Sequence, residues 1–223
     1  MFASLLLLFS LLSLLFQVSP VQTCGLQACP TSATACPSVT MSVPTHSACT
    51  YNLRGVHFKD KKAGARLKKE SNILSLTNSN DFSFFQETRL GPAAKSYLKK
   101  LLPGCGVYTS SLSFKSCGVA TVLSPSIVAS FDVVTVALPP SLLGRALVLR
   151  LVPKAGDGPS LVLVNVYLQS GDNYGLKTDQ IALLSRLVPS SPFMYLGGDF
   201  NFVENKARDT SSGSDYYDPT ASF

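Results

Sequence analysis

The chain has 223 residues, 46% of them apolar and only 14% charged, with a formal net charge of +6. That length supports one domain with a packed core plus an extension. The positive balance suits a polyanionic partner, nucleic acid or an anionic membrane surface, without choosing between them. The apolar run at residues 2–16 (FASLLLLFSLLSLLF) falls short of the ~20 residues a helical membrane span needs.

That run has the length of the apolar core of a secretory signal, and Ser19 and Thr23 lie among small residues that could supply a cleavage site. No charged residue occurs before Arg54, so the basic segment that usually opens such a signal is missing. Residues 1–23 are expected to be an apolar leader, either a signal peptide or an anchor. Residues 24–45, rich in Ser, Thr, Pro and Cys and without periodicity, read as a linker, and residues 46–223 as one domain. The six cysteines (Cys24, Cys29, Cys36, Cys49, Cys105 and Cys117) permit disulfides. Their spacing matches no zinc template, and reduced thiols are equally consistent.

From the start of the domain, Ser47–Asn52 reads as a short strand entering a turn at Leu53-Arg54-Gly55. A basic stretch follows (Lys59, Lys61, Lys62, Arg66, Lys68, Lys69), with Ala65, Leu67, Ile73, Leu74 and Leu76 at imperfect helical spacing. Such a run is most simply a solvated helix face. Strands are expected over Asp81–Gln86, Gly106–Ser111, Gly118–Leu123, Ile127–Leu138 and Ala146–Val152, each rich in β-branched or aromatic residues between turn residues. Leu161–Tyr167 is apolar apart from Asn165, as expected for a strand covered on both faces. Thr178–Leu187 reads as a helix with Thr178 as its N-cap, and Phe193–Gly197 as a second buried strand. Many strands and few helices point to an α+β fold, a two-layer β-sandwich flanked by helices.

Four polar groups stand at or near the ends of apolar strands: Asn52, Glu87, Asn165 with Tyr167, and Asp199 with Asn201. A strand end is where a packed scaffold hands a side chain to a cleft. A carboxylate and an amide can hold a hard cation such as Mg²⁺, which prefers oxygen ligands and keeps several waters. A phenol and a second amide can grip phosphate oxygens, and a further carboxylate can orient or deprotonate a water. Taken singly, each of these residues has an ordinary explanation as a turn or surface residue.

In order, TYNLRG, FSFFQETRL, SCGVATVL, LVLVNVY and LGGDFN resemble the endonuclease/exonuclease/phosphatase superfamily throughout Thr50–Asp209. Arg145 opening GRALVLRL, and Asp209 ten residues past Asp199, resemble the endonuclease of non-LTR (LINE-type) retrotransposons. The resemblance implies a deoxyribonuclease-like four-layer α/β/β/α domain, incomplete at its C-terminus, that hydrolyses phosphodiesters with Mg²⁺ or Mn²⁺. It implies that Asn52 and Glu87 form the metal side, with Glu87 the direct ligand, and that Tyr167 contacts the scissile phosphate. Asp199 would position or activate the water, with Asn201 as its partner. Asn165, Arg54, Lys61 and Lys62 stand as candidates for phosphate or DNA contact.

DNA is the expected partner, with a reverse transcriptase fused in a full-length element, no small-molecule cofactor, and a membrane only through residues 1–23. The compartment would be the nucleus for a retroelement nuclease, or the outside or a membrane if the leader acts as a signal. Members of the superfamily also carry a late Asp-His element, whereas the two histidines here, His46 and His57, fall before or just after the first motif. Little catalytic activity is expected on that ground. A secreted or membrane-associated phosphodiesterase of the same fold, or a scaffold kept for binding alone, remain as alternatives.

Overall fold

A computed structural model describes residues 45–55, 63–89, 93–112, 117–156, 158–169 and 173–201. The expectations for residues 1–23, 24–44 and Asp209, and those for Lys61 and Lys62, lie outside the described residues. In chain order the elements are β1 (Ala48–Asn52), α1 (Ala63–Ser79), β2 (Phe82–Gln86), α2 (Ala93–Leu101), β3 (Gly106–Ser110), β4 (Val119–Leu123), α3 (Pro125–Ser130), β5 (Phe131–Thr135), β6 (Ala146–Pro153), β7 (Leu161–Tyr167), α4 (Tyr174–Leu187) and β8 (Phe193–Asp199).

Two four-stranded sheets form, with strand orders β1-β2-β4-β3 and β5-β6-β7-β8. Each ends in a parallel pair joined by a helix: β1 with β2 across α1, and β7 with β8 across α4. The remaining pairs are antiparallel. Period-two alternation decides what faces what. Phe82, Phe84, Leu147, Leu149, Leu151, Leu161 and Leu163 point between the sheets into one apolar cluster. Phe85, Ala120 and Val122 face outward and are covered by Ile73 of α1 and Leu98 of α2. Ala146, Val148, Val162, Val164 and Val166 face outward on the second sheet and are covered by Leu184 of α4. The layers are therefore helix, sheet, sheet, helix, as the sequence led one to expect.

Three local expectations need correction. Ile127–Leu138 is not one strand, because Ser124-Pro125 starts the short helix α3 with proline in its first turn, and β5 begins only at Phe131. Helix α4 starts before Thr178: Asn173 is its cap, with Oδ1 accepting from Leu176 N at 3.0 Å. Strand β8 is half-buried along its whole length rather than buried, since among the described residues it pairs only with β7. Helix α2 has no counterpart in the expected elements. Cys49 and Cys105 carry free thiols.

Candidate active site

Because β1, β2, β7 and β8 lie in two parallel pairs, the C-terminal ends of each pair fall together. Asn52 closes β1, Glu87 follows β2, Tyr167 closes β7 and Asp199 closes β8. The antiparallel neighbours β4 and β6 start at the same end, which brings in Cys117-Gly118 and Gly144-Arg145. Among the described residues, the five non-glycine residues with positive φ all lie in these loops: Arg54 (49°), Glu87 (48°), Arg89 (49°), Cys117 (52°) and Asn201 (50°). Such backbone persists only where its surroundings over-determine it. Here a run of main-chain bonds does so, among them Leu53 N to Gln86 O at 2.9 Å, Gly55 N to Glu87 O at 2.7 Å, Thr88 N to Gly118 O at 3.0 Å and Arg89 N to Cys117 O at 3.1 Å. On the other sheet, Tyr167 N donates to Arg145 O at 2.7 Å and Leu168 N to Asp199 O at 3.0 Å.

The two glycines before Asp199 are there for space. A Cβ on Gly197 would lie 2.6 Å from the Phe84 ring of the facing sheet. Gly198 has φ +153°, and a Cβ there would lie 2.0 Å from Val166 O. Only glycine lets β8 approach both neighbours closely enough to present Asp199.

The side chains then converge. Asn52 Nδ2 donates to Glu87 Oε1 at 3.0 Å and to Asp199 Oδ2 at 2.7 Å, so one amide ties together carboxylates from different sheets. Asn52 Oδ1 accepts from Arg54 N at 2.9 Å, which fixes the amide's orientation. Glu87 Oε2 is ion-paired with the Arg89 guanidinium. Burial opposes the charge on Glu87, but the Asn52 hydrogen bond, the Arg89 charge and hydrogen bond, and the Tyr167 hydroxyl outweigh it and hold the carboxyl below its ordinary value. Tyr167 is raised, first by burial and then by the charge and hydrogen bond of Glu87, so its hydroxyl keeps its proton at neutral pH. The Arg145 guanidinium lies over the Tyr167 ring, 5.0 Å from the centroid. Asn201 N donates to Asp199 Oδ1 at 3.0 Å, and Asn201 Nδ2 to Leu168 O at 2.8 Å. Lys177, a buried residue of α4, donates to Asn201 O at 2.6 Å.

The structure thus gathers Asn52, Glu87, Tyr167, Asp199 and Asn201, with the exposed Arg54 at the rim. Asn165 is not among them, which corrects its expected place at the substrate. It is 0% exposed and lies between the sheets, accepting from Gln86 Nε2 at 2.9 Å and donating to Ala120 O at 2.9 Å. It shares the inward parity of Leu161 and Leu163, so its amide serves the core. His46 sits at the opposite end of the strands, against Phe82, Phe131 and Tyr195, and His57 lies outside the described residues. Sequence reasoning assigned no role to Arg89 or Lys177. Arg89 lies beside a motif carboxylate, but only the left-handed backbone brings the two side chains together, and nothing in the α4 pattern marks a lysine as buried.

A divalent cation fits this donor set. Glu87 offers a hard, partly buried carboxylate oxygen beside the Asn52 amide, 3.0 Å from its Nδ2. Among the described residues, no group of three His, Cys, Asp or Glu side chains forms a metal cage. One carboxylate and a neighbouring amide, with the rest of the shell left to water, is what Mg²⁺ accepts.

No family model and no curated protein matches the chain. Solved structures do. A humanized D. rerio TDP2 with 14 mutations matches at TM-score 0.52 and 19% identity, over 73% of this chain and 69% of that one. D. rerio TDP2 complexed with single-strand DNA product matches at TM-score 0.51 and 20% identity, over 73% and 63%. The AP endonuclease LMAP of Leishmania major matches at TM-score 0.50 and 24% identity, over 69% and 54%. The chain spans less than two thirds of the last two. These likenesses show the fold: the chain shares the two-sheet, helix-flanked architecture of these proteins, and the motifs that carry the sequence resemblance lie where its strands converge.

Proposed function

We propose that this site binds and hydrolyses phosphodiesters with a divalent cation, acting on DNA in the manner of a non-LTR retrotransposon endonuclease. The observation that carries the reading is the Asn52 amide held between Glu87 and Asp199 at 3.0 and 2.7 Å, beside a protonated Tyr167. Arg145 and Asp209 support the retrotransposon type, and the net charge of +6 supports a DNA partner.

Glu87, with Asn52 beside it, would hold the cation, Mg²⁺ or Mn²⁺, which when bound offsets negative charge building on the phosphate and the leaving oxygen. Tyr167 donates its hydroxyl hydrogen to a phosphate oxygen. Asp199, fixed at Oδ1 by Asn201 N and at Oδ2 by Asn52, orients a water for in-line attack on phosphorus and takes its proton. The P–O bond opposite the water breaks as the new one forms. Asn201 and Lys177 hold the Asp199 turn, and Arg54 at the rim meets the nucleic-acid backbone.

One observation favours a second reading, DNA binding with little cleavage: Glu87 Oε2 is already held by the Arg89 guanidinium, which opposes a cation there. Plasmid nicking with Mg²⁺ decides between them. Slow nicking that Glu87→Ala abolishes supports hydrolysis at this site. Binding without nicking, unchanged in Glu87→Ala, supports the second reading.

A further inference from the structure

We propose that Arg89 is a built-in competitor of the divalent cation at Glu87, and that a phosphate draws it away so that cation and substrate bind cooperatively. This rests on the reading of Glu87 as a metal ligand. Glu87 already accepts from Asn52 Nδ2 on Oε1, from the Arg89 guanidinium on Oε2 and from the Tyr167 hydroxyl. Two of these partners, Asn52 and Arg89, differ in kind. Asn52 is neutral, so it can keep its hydrogen bond on one lone pair while a cation takes another. Arg89 is a guanidinium cation, so it opposes a divalent cation until it moves.

The backbone brings about this competition. Glu87 and Arg89 both adopt left-handed φ, 48° and 49°, and Thr88 N and Arg89 N are tied to Gly118 O and Cys117 O at 3.0 and 3.1 Å. The turn therefore delivers a cationic side chain onto the carboxylate two residues before it. The Arg89 side chain is also 38% exposed, so it can swing into solvent without burying its charge. A phosphodiester offers the guanidinium a second anion with matching fork geometry. Arg89 leaving Glu87 for a phosphate frees Oε2, and by linkage each ligand then tightens the other.

Mn²⁺ binding to the full chain, followed by electron paramagnetic resonance, tests this without any turnover. Arg89→Met is expected to bind Mn²⁺ about tenfold more tightly than wild type, a change of ~1.4 kcal/mol, and Arg89→Lys to stay close to wild type. A short single-stranded oligodeoxynucleotide is expected to tighten Mn²⁺ binding in wild type and to do so clearly less in Arg89→Met. Arg89→Gln, neutral but still a donor, is expected to follow Arg89→Met and decides the matter should the methionine variant not fold. Equal or weaker Mn²⁺ binding in the neutral variants, with Glu87→Gln abolishing it, overturns the role of Arg89 alone. Wild-type binding that Glu87→Gln leaves intact overturns the metal reading of Glu87 together with this inference.

Discussion

Asn52 reaches across the sandwich to Asp199, Nδ2 to Oδ2 at 2.7 Å, while the same nitrogen holds Glu87 Oε1 at 3.0 Å. The two carboxylates would otherwise repel across the mouth of the sheets. Removing the amide in Asn52→Leu leaves them without their common donor, so turnover is expected to fall by about 100-fold, ~2.7 kcal/mol in the barrier. Thermal unfolding should report a much smaller loss, on the order of 1 kcal/mol, because both carboxylates retain other hydrogen-bond partners.

Asn165 makes the opposite prediction. Its amide joins the sheets inside the core, with Gln86 Nε2 as donor and Ala120 O as acceptor. Asn165→Leu strands both groups without water, so urea unfolding should show a loss of roughly 2–4 kcal/mol. An Asn165→Leu chain that is fully stable and impaired only in DNA binding would restore the surface role expected from sequence.

Gly198 holds the backbone that presents Asp199. With φ at +153° and Val166 O 2.0 Å from any Cβ, Gly198→Ala is expected to cost roughly 3 kcal/mol or more of stability. Chemical denaturation checks this. Wild-type stability would mean that β8 can shift away from β7.

Glu87 should make stability depend on acid. Its folded carboxyl lies below the ordinary 4.5, so its contribution is fully present above about pH 4.5 and lost as pH falls through the folded value. The stability difference between wild type and Glu87→Gln is expected to shrink on acidification through that window. Tyr167 acts at the other extreme. Its folded value is raised above 10.0, so its contribution is present below pH ~10 and lost as pH rises beyond it. Tyr167→Phe should remove that alkaline dependence, as pH-dependent unfolding would report.

Much of this was legible in the sequence, for reasons that particular residues make plain. Leu161–Tyr167 reads as a doubly covered strand because its branched residues face α4 and its leucines face the other sheet. The same alternation, applied to Asn165, places it inward with Leu163, yet a strand-end motif drew it to the surface. Ile127 and Val128 suit a strand as well as a helix, and only Pro125 marks the turn of helix that forms. Helix α2 was legible too, since over its nine residues Tyr97, Leu98 and Leu101 share the covered face while Lys95, Lys99 and Lys100 are exposed. The pairing of Arg89 with Glu87 depends on two left-handed residues in succession around Thr88, and sequence carries no signal for that.

The most direct measurement is cleavage of a DNA oligonucleotide in ¹⁸O-labelled water, read by mass spectrometry of the product phosphate. With Mg²⁺ the wild-type chain is expected to place one ¹⁸O on the product phosphate, slowly, and Asp199→Asn and Glu87→Gln to give no labelled product. No cleavage by wild type under any Mg²⁺ or Mn²⁺ concentration, or equal labelling by the two variants, would contradict hydrolysis at this site.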